Sequence, residues 1–154
     1  VLARQADLTG SGSIDELCAR LDAHARRFAG TWVQGRGWDQ DKLAEGREPT
    51  RVDLDRVVPD RPCFVTRVCG HAAVANSAAI ALLAPDERAA GDPETGRYTE
   101  TALAALHRRV PPLTDDEKDE VVLRAADVAL RAGVTSVGTL LDTADQMQAY
   151  HRLH

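Results

Sequence analysis

The chain has 154 residues, 44% of them hydrophobic and 28% charged, with a formal net charge of -5. That is enough for one globular domain with a core of its own, and the acidic balance excludes a surface built for nucleic acid or for an anionic membrane. No apolar run approaches the roughly 18 residues of a transmembrane helix, and the N-terminus carries no signal-peptide pattern.

Residues 1–12 read as a connector. Ser13-Ile14-Asp15-Glu16 reads as a capping box, which predicts a helix to about Ala29 with Gly30 as its left-handed stop. Thr31 to Gln34 reads as a short strand running into a glycine-rich loop, Gly35 to Asp39. Asp41 to Glu48 reads as a polar excursion or short helix. Cys63 to Val68 is the clearest strand, rich in β-branched residues, and Gly70-His71 ends it. Asn76 or Ser77 is placed to cap a small-residue helix through Leu83. Residues 85–98 read as a loop, and Thr99 to Arg109 as a helix ended by Pro111-Pro112. A second capping box, Thr114 to Glu117, predicts a helix to Ala132 that stops at Gly133. Val134 to Val137 then reads as a strand and Thr143 onward as a final helix. Helices and strands alternate, which argues an α/β fold with parallel strands. About three to four short strands and four to five helices are visible in a single domain.

The chemistry legible from residue types is sparse. Neither H-x-H nor H-E-x-x-H occurs, and His151 and His154 meet at i, i+3 only at the chain end. His71 follows a strand end and a glycine, where α/β folds place functional groups, but a lone histidine there is more often a hydrogen-bonded structural residue. Glu100 could serve as a metal ligand or base, but by residue pattern alone a solvated helix-start acid is the favoured reading. Three cysteines, Cys18, Cys63 and Cys69, form no C-x-x-C pair, which points to reduced thiols in the cytoplasm. Thiol chemistry at Cys69 is a third reading, and it requires that the residue be alkylatable.

Several segments, taken in order, resemble the amidohydrolase-3, or YtcJ-like, family. They are Trp32 to Trp38 (W-[IV]-x-G-x-G-W), Pro49 to Asp55 (P-T-R-x-D-L-D), Arg67 to Ala79 (R-x-x-G-H-x…N-S-x-A), Thr95 to Glu100 (T-G-x-L-x-E) and Gly133 to Ser136 (G-[VI]-T-S). Two positions depart from the pattern: Tyr98 stands for an aliphatic residue and Leu43 for a tryptophan.

The resemblance implies a segment of a (β/α)₈ barrel, with residues 13–98 an inserted region and residues 99–154 helices and a barrel-type strand. It implies a hydrolase that breaks C–N bonds in amides or formamides through a metal-activated water, with a divalent metal, zinc by expectation, as cofactor. Glu100 is the implied metal ligand and His71 the implied catalytic residue. Trp38, Arg67 and Asn76 are the implied substrate contacts. The remaining ligands, an H-x-H and later histidines and an aspartate, fall outside residues 1–154, so the chain by itself is expected to hold no catalytic metal and to be inactive. The expected partners are a small-molecule amide and either the rest of the barrel or a second copy, with no nucleic acid and no membrane. The alternative is a stand-alone, non-catalytic domain that binds a small molecule or self-assembles.

Overall fold

A computed structural model describes residues 4–138 and 144–153. The chain divides into two compact units, one running up to Val110 and the other from Pro111 onward. Among the described residues there are five strands and seven helices, more of each than the sequence pattern suggests. None of these helices is long and apolar enough to cross a membrane.

The first unit is built on one mixed sheet. Its strands are β1 (Ala6–Asp7), β2 (Val33–Trp38), β3 (Cys63–Arg67), β4 (Ala72–Ala75) and β5 (Arg97–Thr99), lying in that spatial order. The first three are parallel; β4 and β5 run antiparallel to their neighbours. Parallel neighbours need a crossover. α1 (Ile14–Arg27) carries the chain from β1 to β2, and α2 (Arg51–Asp55) lies between β2 and β3. Between β4 and β5 come α3 (Ser77–Ala81) and α4 (Pro85–Ala89), and α5 (Glu100–Arg109) follows β5 directly.

Side chains alternate across the sheet. Val33, Cys63, Val65 and Val74 join a core with Leu17, Cys18 and Leu21 of α1 and Leu54 of α2. Phe64, Ala73 and Ala75 join the opposite core with Ile80 of α3 and Leu103 and Leu106 of α5. With both faces covered, β3 reads as a continuous apolar run. β4 escapes recognition because Ala-Ala-Val-Ala has low strand propensity.

α1 follows from local sequence. Ile14, Leu17, Cys18, Leu21 and Ala25 are buried at helical spacing. The Ser13 hydroxyl accepts the Glu16 amide at 3.1 Å, but Glu16 reaches back to the Gly12 amide at 2.8 Å and not to that of Ser13. The helix stops at Arg27, short of the expected Ala29, and Gly30 does not adopt the left-handed conformation. Arg61, from the turn before β3, caps this end instead, donating to the carbonyls of Ala25 (2.6 Å) and Phe28 (2.7 Å). Orphan carbonyls at a helix end accept such donors readily.

The glycine-rich stretch expected as a loop is the outer half of β2. Gly35 leaves room there for Leu8 and Val65: a Cβ would lie 2.7 Å from Leu8 Cδ1 and 3.1 Å from Val65 Cγ1, so those side chains would have to shift. Gly37, at φ +102, forms a bulge where the β2–β3 register shifts between Arg36 and Trp38. The bulge inverts the alternation, so Trp38 turns to the face of Val33 and not to that of Gln34 and Arg36.

α2 starts where Asp53 takes the Thr50 amide at 2.8 Å, and Arg47 grips the same carboxylate at 2.7 and 3.0 Å. Arg47 above all holds the Asp53 carboxyl at about 2, against an ordinary 3.8. The folded value is the lower one, so this contribution is present above the unfolded pKa and is lost as pH falls through about 2. Acid titrations should therefore show Asp53→Asn less stable than wild type near neutrality, with the gap closing below roughly pH 4. A constant gap would assign the loss to packing.

In the second unit, α6 (Asp115–Arg131) begins at the expected box: Thr114 Oγ1 accepts from the Glu117 amide and Glu117 from the Thr114 amide. It ends at Gly133, φ +77, with Val134 N–H donating to Ala129 O and Gly133 N–H to Leu130 O, the Schellman arrangement. α7 (Ala144–Arg152) is tied to α6 by Arg152 on Asp119 at 2.7 Å. Residues 134–138 are not a strand, contrary to expectation. A strand exists only through a ladder with a neighbour, and these residues have none among the described residues.

Candidate functional site

Parallel β1, β2 and β3 end at one edge of the sheet. β4 begins at that edge and β5 ends there, with Ala72 opposite Thr99. Residues far apart in sequence therefore meet at the carboxyl ends of the parallel strands, the edge where open α/β sheets bind ligands. Arg67 closes β3, His71 ends the β3–β4 turn, and Glu100 opens α5.

His71 and Glu100 are adjacent. The Glu100 amide donates to the His71 carbonyl at 3.0 Å, and His71 Nδ1 lies 3.5 Å from Glu100 Oε2. Both side chains are open to solvent, at 71% and 70% exposure. Neither is committed to a core, and each can present its polar group to a ligand. Glu100 has φ 47, the sole positive φ recorded for a non-glycine residue among the described ones, a conformation that costs a glutamate on the order of 1 kcal/mol.

Arg67 is half-buried. Its Nη2 lies 3.6 Å from Asp39 and 3.8 Å from Asp41, and its Nε is enclosed without a partner. Asp39 and Asp41, which give this guanidinium its electrostatic setting, carry no sequence signal of that role. The other two expected substrate contacts occupy structural places. Trp38 is 1% exposed, its indole N–H donating to Val65 O at 3.1 Å. Asn76 is fully buried. Its Oδ1 accepts from the amides of Cys63 and Ala79, and its Nδ2 donates to the carbonyls of Val58 and Arg61. Neither has a polar group left for a substrate in this geometry. The other residues of those motifs are likewise structural: Asp55 takes the Ser77 amide and hydroxyl at 2.8 and 2.6 Å, and Arg51 donates to the same hydroxyl at 2.9 Å. Leu43, where the family pattern has tryptophan, fills the α1-side core.

The three thiols differ. Cys69 is exposed, and the His71 amide above all, with Arg67 Nη1 4.0 Å from the sulfur, holds its thiol below the ordinary value. Cys18 and Cys63 are buried, and burial pushes both thiols up. Native-state alkylation with iodoacetamide should therefore label one thiol of the three, at Cys69. Labelling of Cys63 at a comparable rate would contradict the packing around β3.

No three His, Cys, Asp or Glu side chains among the described residues converge as a metal site. A catalytic zinc takes three protein ligands. The described residues therefore do not fit a complete metal site, and Glu100 beside His71 makes up no more than part of one. His151 lies exposed on α7, and its expected partner His154 is outside the described residues.

A family profile described as "Amidohydrolase family" matches residues 1–154. The chain is 30% identical to the N-substituted formamide deformylase of Arthrobacter pascens, over 91% of this chain and 29% of that protein. It is 31% identical to the putative amidohydrolase YtcJ of Bacillus subtilis, over 85% of this chain and 27% of that protein. Among solved structures, an uncharacterized metal-dependent hydrolase from Pyrococcus horikoshii superposes with a TM-score of 0.72 at 34% identity, covering 98% of this chain and 30% of that one. The chain thus spans between a quarter and a third of the length of these relatives.

Proposed function

The chain belongs to the amidohydrolase family, and we propose that it is one segment of a cytoplasmic, metal-dependent hydrolase of non-peptide C–N bonds in small amides or formamides. The observation that carries this reading is the exposed Glu100 carboxylate, held beside His71 at the carboxyl edge of the sheet. A glutamate kept in the left-handed region and free of a structural role is the kind of residue a ligand site retains. In this reading Glu100 contributes to a divalent-metal site, zinc by preference, completed by residues outside the chain. The metal would supply Lewis acidity for hydrolysis. His71 and Arg67 border the substrate, and the 154 residues alone are inactive.

The fold reading that accompanies it is an incomplete (β/α)₈ barrel with an inserted subdomain. The exposed Leu123 and Leu130, i and i+7 on one face of α6, are consistent with a helix that needs a further apolar surface, and we take that surface to be the rest of the barrel. A stand-alone, self-assembling domain is the competing reading.

A chimera tests the function: the Arthrobacter pascens N-substituted formamide deformylase with its matching segment replaced by this chain. Formamide hydrolysis is expected to survive, and Glu100→Ala in the chimera to lower it more than ~100-fold, since losing even an outer-shell partner of a metal ligand costs about 10–100-fold. Full activity in the Glu100→Ala chimera would refute the assignment. An inactive but folded chimera would favour the stand-alone domain.

A further inference from the structure

We infer that His71 is a positioning residue that acts through Glu100: it fixes the direction of the Glu100 carboxylate at the β5–α5 junction and need not touch substrate itself. The inference rests on the reading of Glu100 as a ligand-site carboxylate, and deepens it.

The two residues meet twice, once through a backbone hydrogen bond and once through a side-chain contact. The Glu100 amide donates to the His71 carbonyl at 3.0 Å, just beyond the Ala72–Thr99 pair that ends the β4–β5 ladder. The same histidine places Nδ1 3.5 Å from Glu100 Oε2, while Oε1 has no partner among the described residues. One residue thus meets both the backbone and one carboxylate oxygen of Glu100. His71 is itself set by the β3–β4 turn, where the Gly70 amide donates to Arg67 O at 2.9 Å and Gly70 sits at φ +81. The turn thus places the carbonyl that receives the Glu100 amide.

The backbone of Glu100 shows what the arrangement is for. At φ 47 a glycine would be at ease and a glutamate is not. A local outlier of this kind persists only where its surroundings over-determine it. Here the surroundings are the His71 carbonyl on one side and α5, which starts at Glu100, on the other.

At 3.5 Å the ring and carboxylate are within ion-pair distance but beyond an ordinary hydrogen bond, and both are exposed. Such a contact contributes little to stability; it steers a rotamer. That separates positioning from a structural role: loss of the imidazole should move the Glu100 side chain and leave the unfolding temperature unchanged.

The experiment is solution NMR on the whole chain with glutamate side chains labelled with carbon-13, following the Glu100 carboxylate and amide signals in wild type, His71→Ala and His71→Asn. Asparagine carries its nitrogen close to where Nδ1 stands, so it can restore the contact that alanine removes. The expected result is a displaced Glu100 carboxylate signal in His71→Ala, its return toward wild type in His71→Asn, and the same thermal midpoint in all three. Identical Glu100 signals in wild type and His71→Ala would overturn the inference, as would Ala and Asn variants that shift alike, or a midpoint lowered in step with the signal. These readouts need neither metal nor activity. An inactive chimera with an intact His71 signature would count against the proposed function alone, and an active one without it against the positioning role alone.

Discussion

Gly96→Ala is expected to lower the stability of the first unit by about 3 kcal/mol or more, read by urea or thermal unfolding. Two penalties add at this position. Gly96 sits at φ +83, and a Cβ built there would lie 2.3 Å from the carbonyl oxygen of Ala75 and 2.9 Å from the Arg51 Cβ. The left-handed backbone alone costs a non-glycine residue roughly 1–2 kcal/mol. The overlap is with backbone, which cannot rotate away as a side chain would. Relief requires the strand to move, and two hydrogen bonds go with it: Ala75 N–H to Gly96 O at 2.8 Å and Arg51 N–H to Thr95 O at 2.7 Å. Gly10→Ala is the control. Gly10 has a comparable φ of +73 but nothing within 4 Å of its added Cβ, so it should lose only the backbone part. Equal losses at the two positions would show that the contact with Ala75 is not what selects glycine at 96. Because this contact lies four residues before Glu100, the glycine of the T-G-x-L-x-E resemblance is a packing requirement that keeps β5 seated against β4.

Asn76→Ala is expected to cost about 3–5 kcal/mol, the range of a buried polar network losing its centre. Four backbone groups meet at this side chain: the amides of Cys63 and Ala79 on Oδ1, each at 2.9 Å, and the carbonyls of Val58 and Arg61 on Nδ2, at 2.7 and 2.8 Å. Alanine leaves all four without a partner in a site that has no exposed surface. Asn76→Asp sharpens the test. A carboxylate can still accept from the two amides, but it faces the two carbonyls with no proton to give. Its pKa should therefore rise in the folded state, and the stability it retains should be present in mild acid and lost as pH rises toward neutrality. Wild type has no such group and should show no matching loss. An Asn76→Asp variant as stable as wild type at neutral pH would mean that the Val58 and Arg61 carbonyls are satisfied in some other way.

These two residues show how the family resemblance and the structure divide the work. The ordered motifs point to the amidohydrolase family, and the whole-chain match agrees. The motifs do not say which of their residues act on a ligand. Asn76, Asp55, Ser77 and Arg51 are spent on joining α2, α3 and the sheet. Trp38 is buried by a single glycine bulge that reverses which way it points. A pattern that alternates cleanly through Gly35, Arg36 and Gly37 carries no mark of that reversal, because the bulge forms only against Thr9 and the β3 ladder.

What the sequence determined by itself is whatever depends on near neighbours. α1 and α6 are legible because an N-cap hydroxyl, its amide three residues on, and an apolar face at 3.6-residue spacing all lie within one segment. The Schellman end at Gly133 is legible for the same reason. The presence of β3 follows from a run of residues that only a doubly covered strand accommodates. Tertiary structure alone decided β4, whose alanines are strand only because β3 and β5 pair with them on either side. It also decided the end of α1, which Arg61 closes from 34 positions beyond the helix's last residue, Arg27. Most of all it decided the site. His71 and Glu100 are separated in sequence by β4, α3, α4 and β5, and they become neighbours because two antiparallel strands bring the end of β5 back to the start of β4. Contacts of that range are set by strand order and register, which no local pattern encodes.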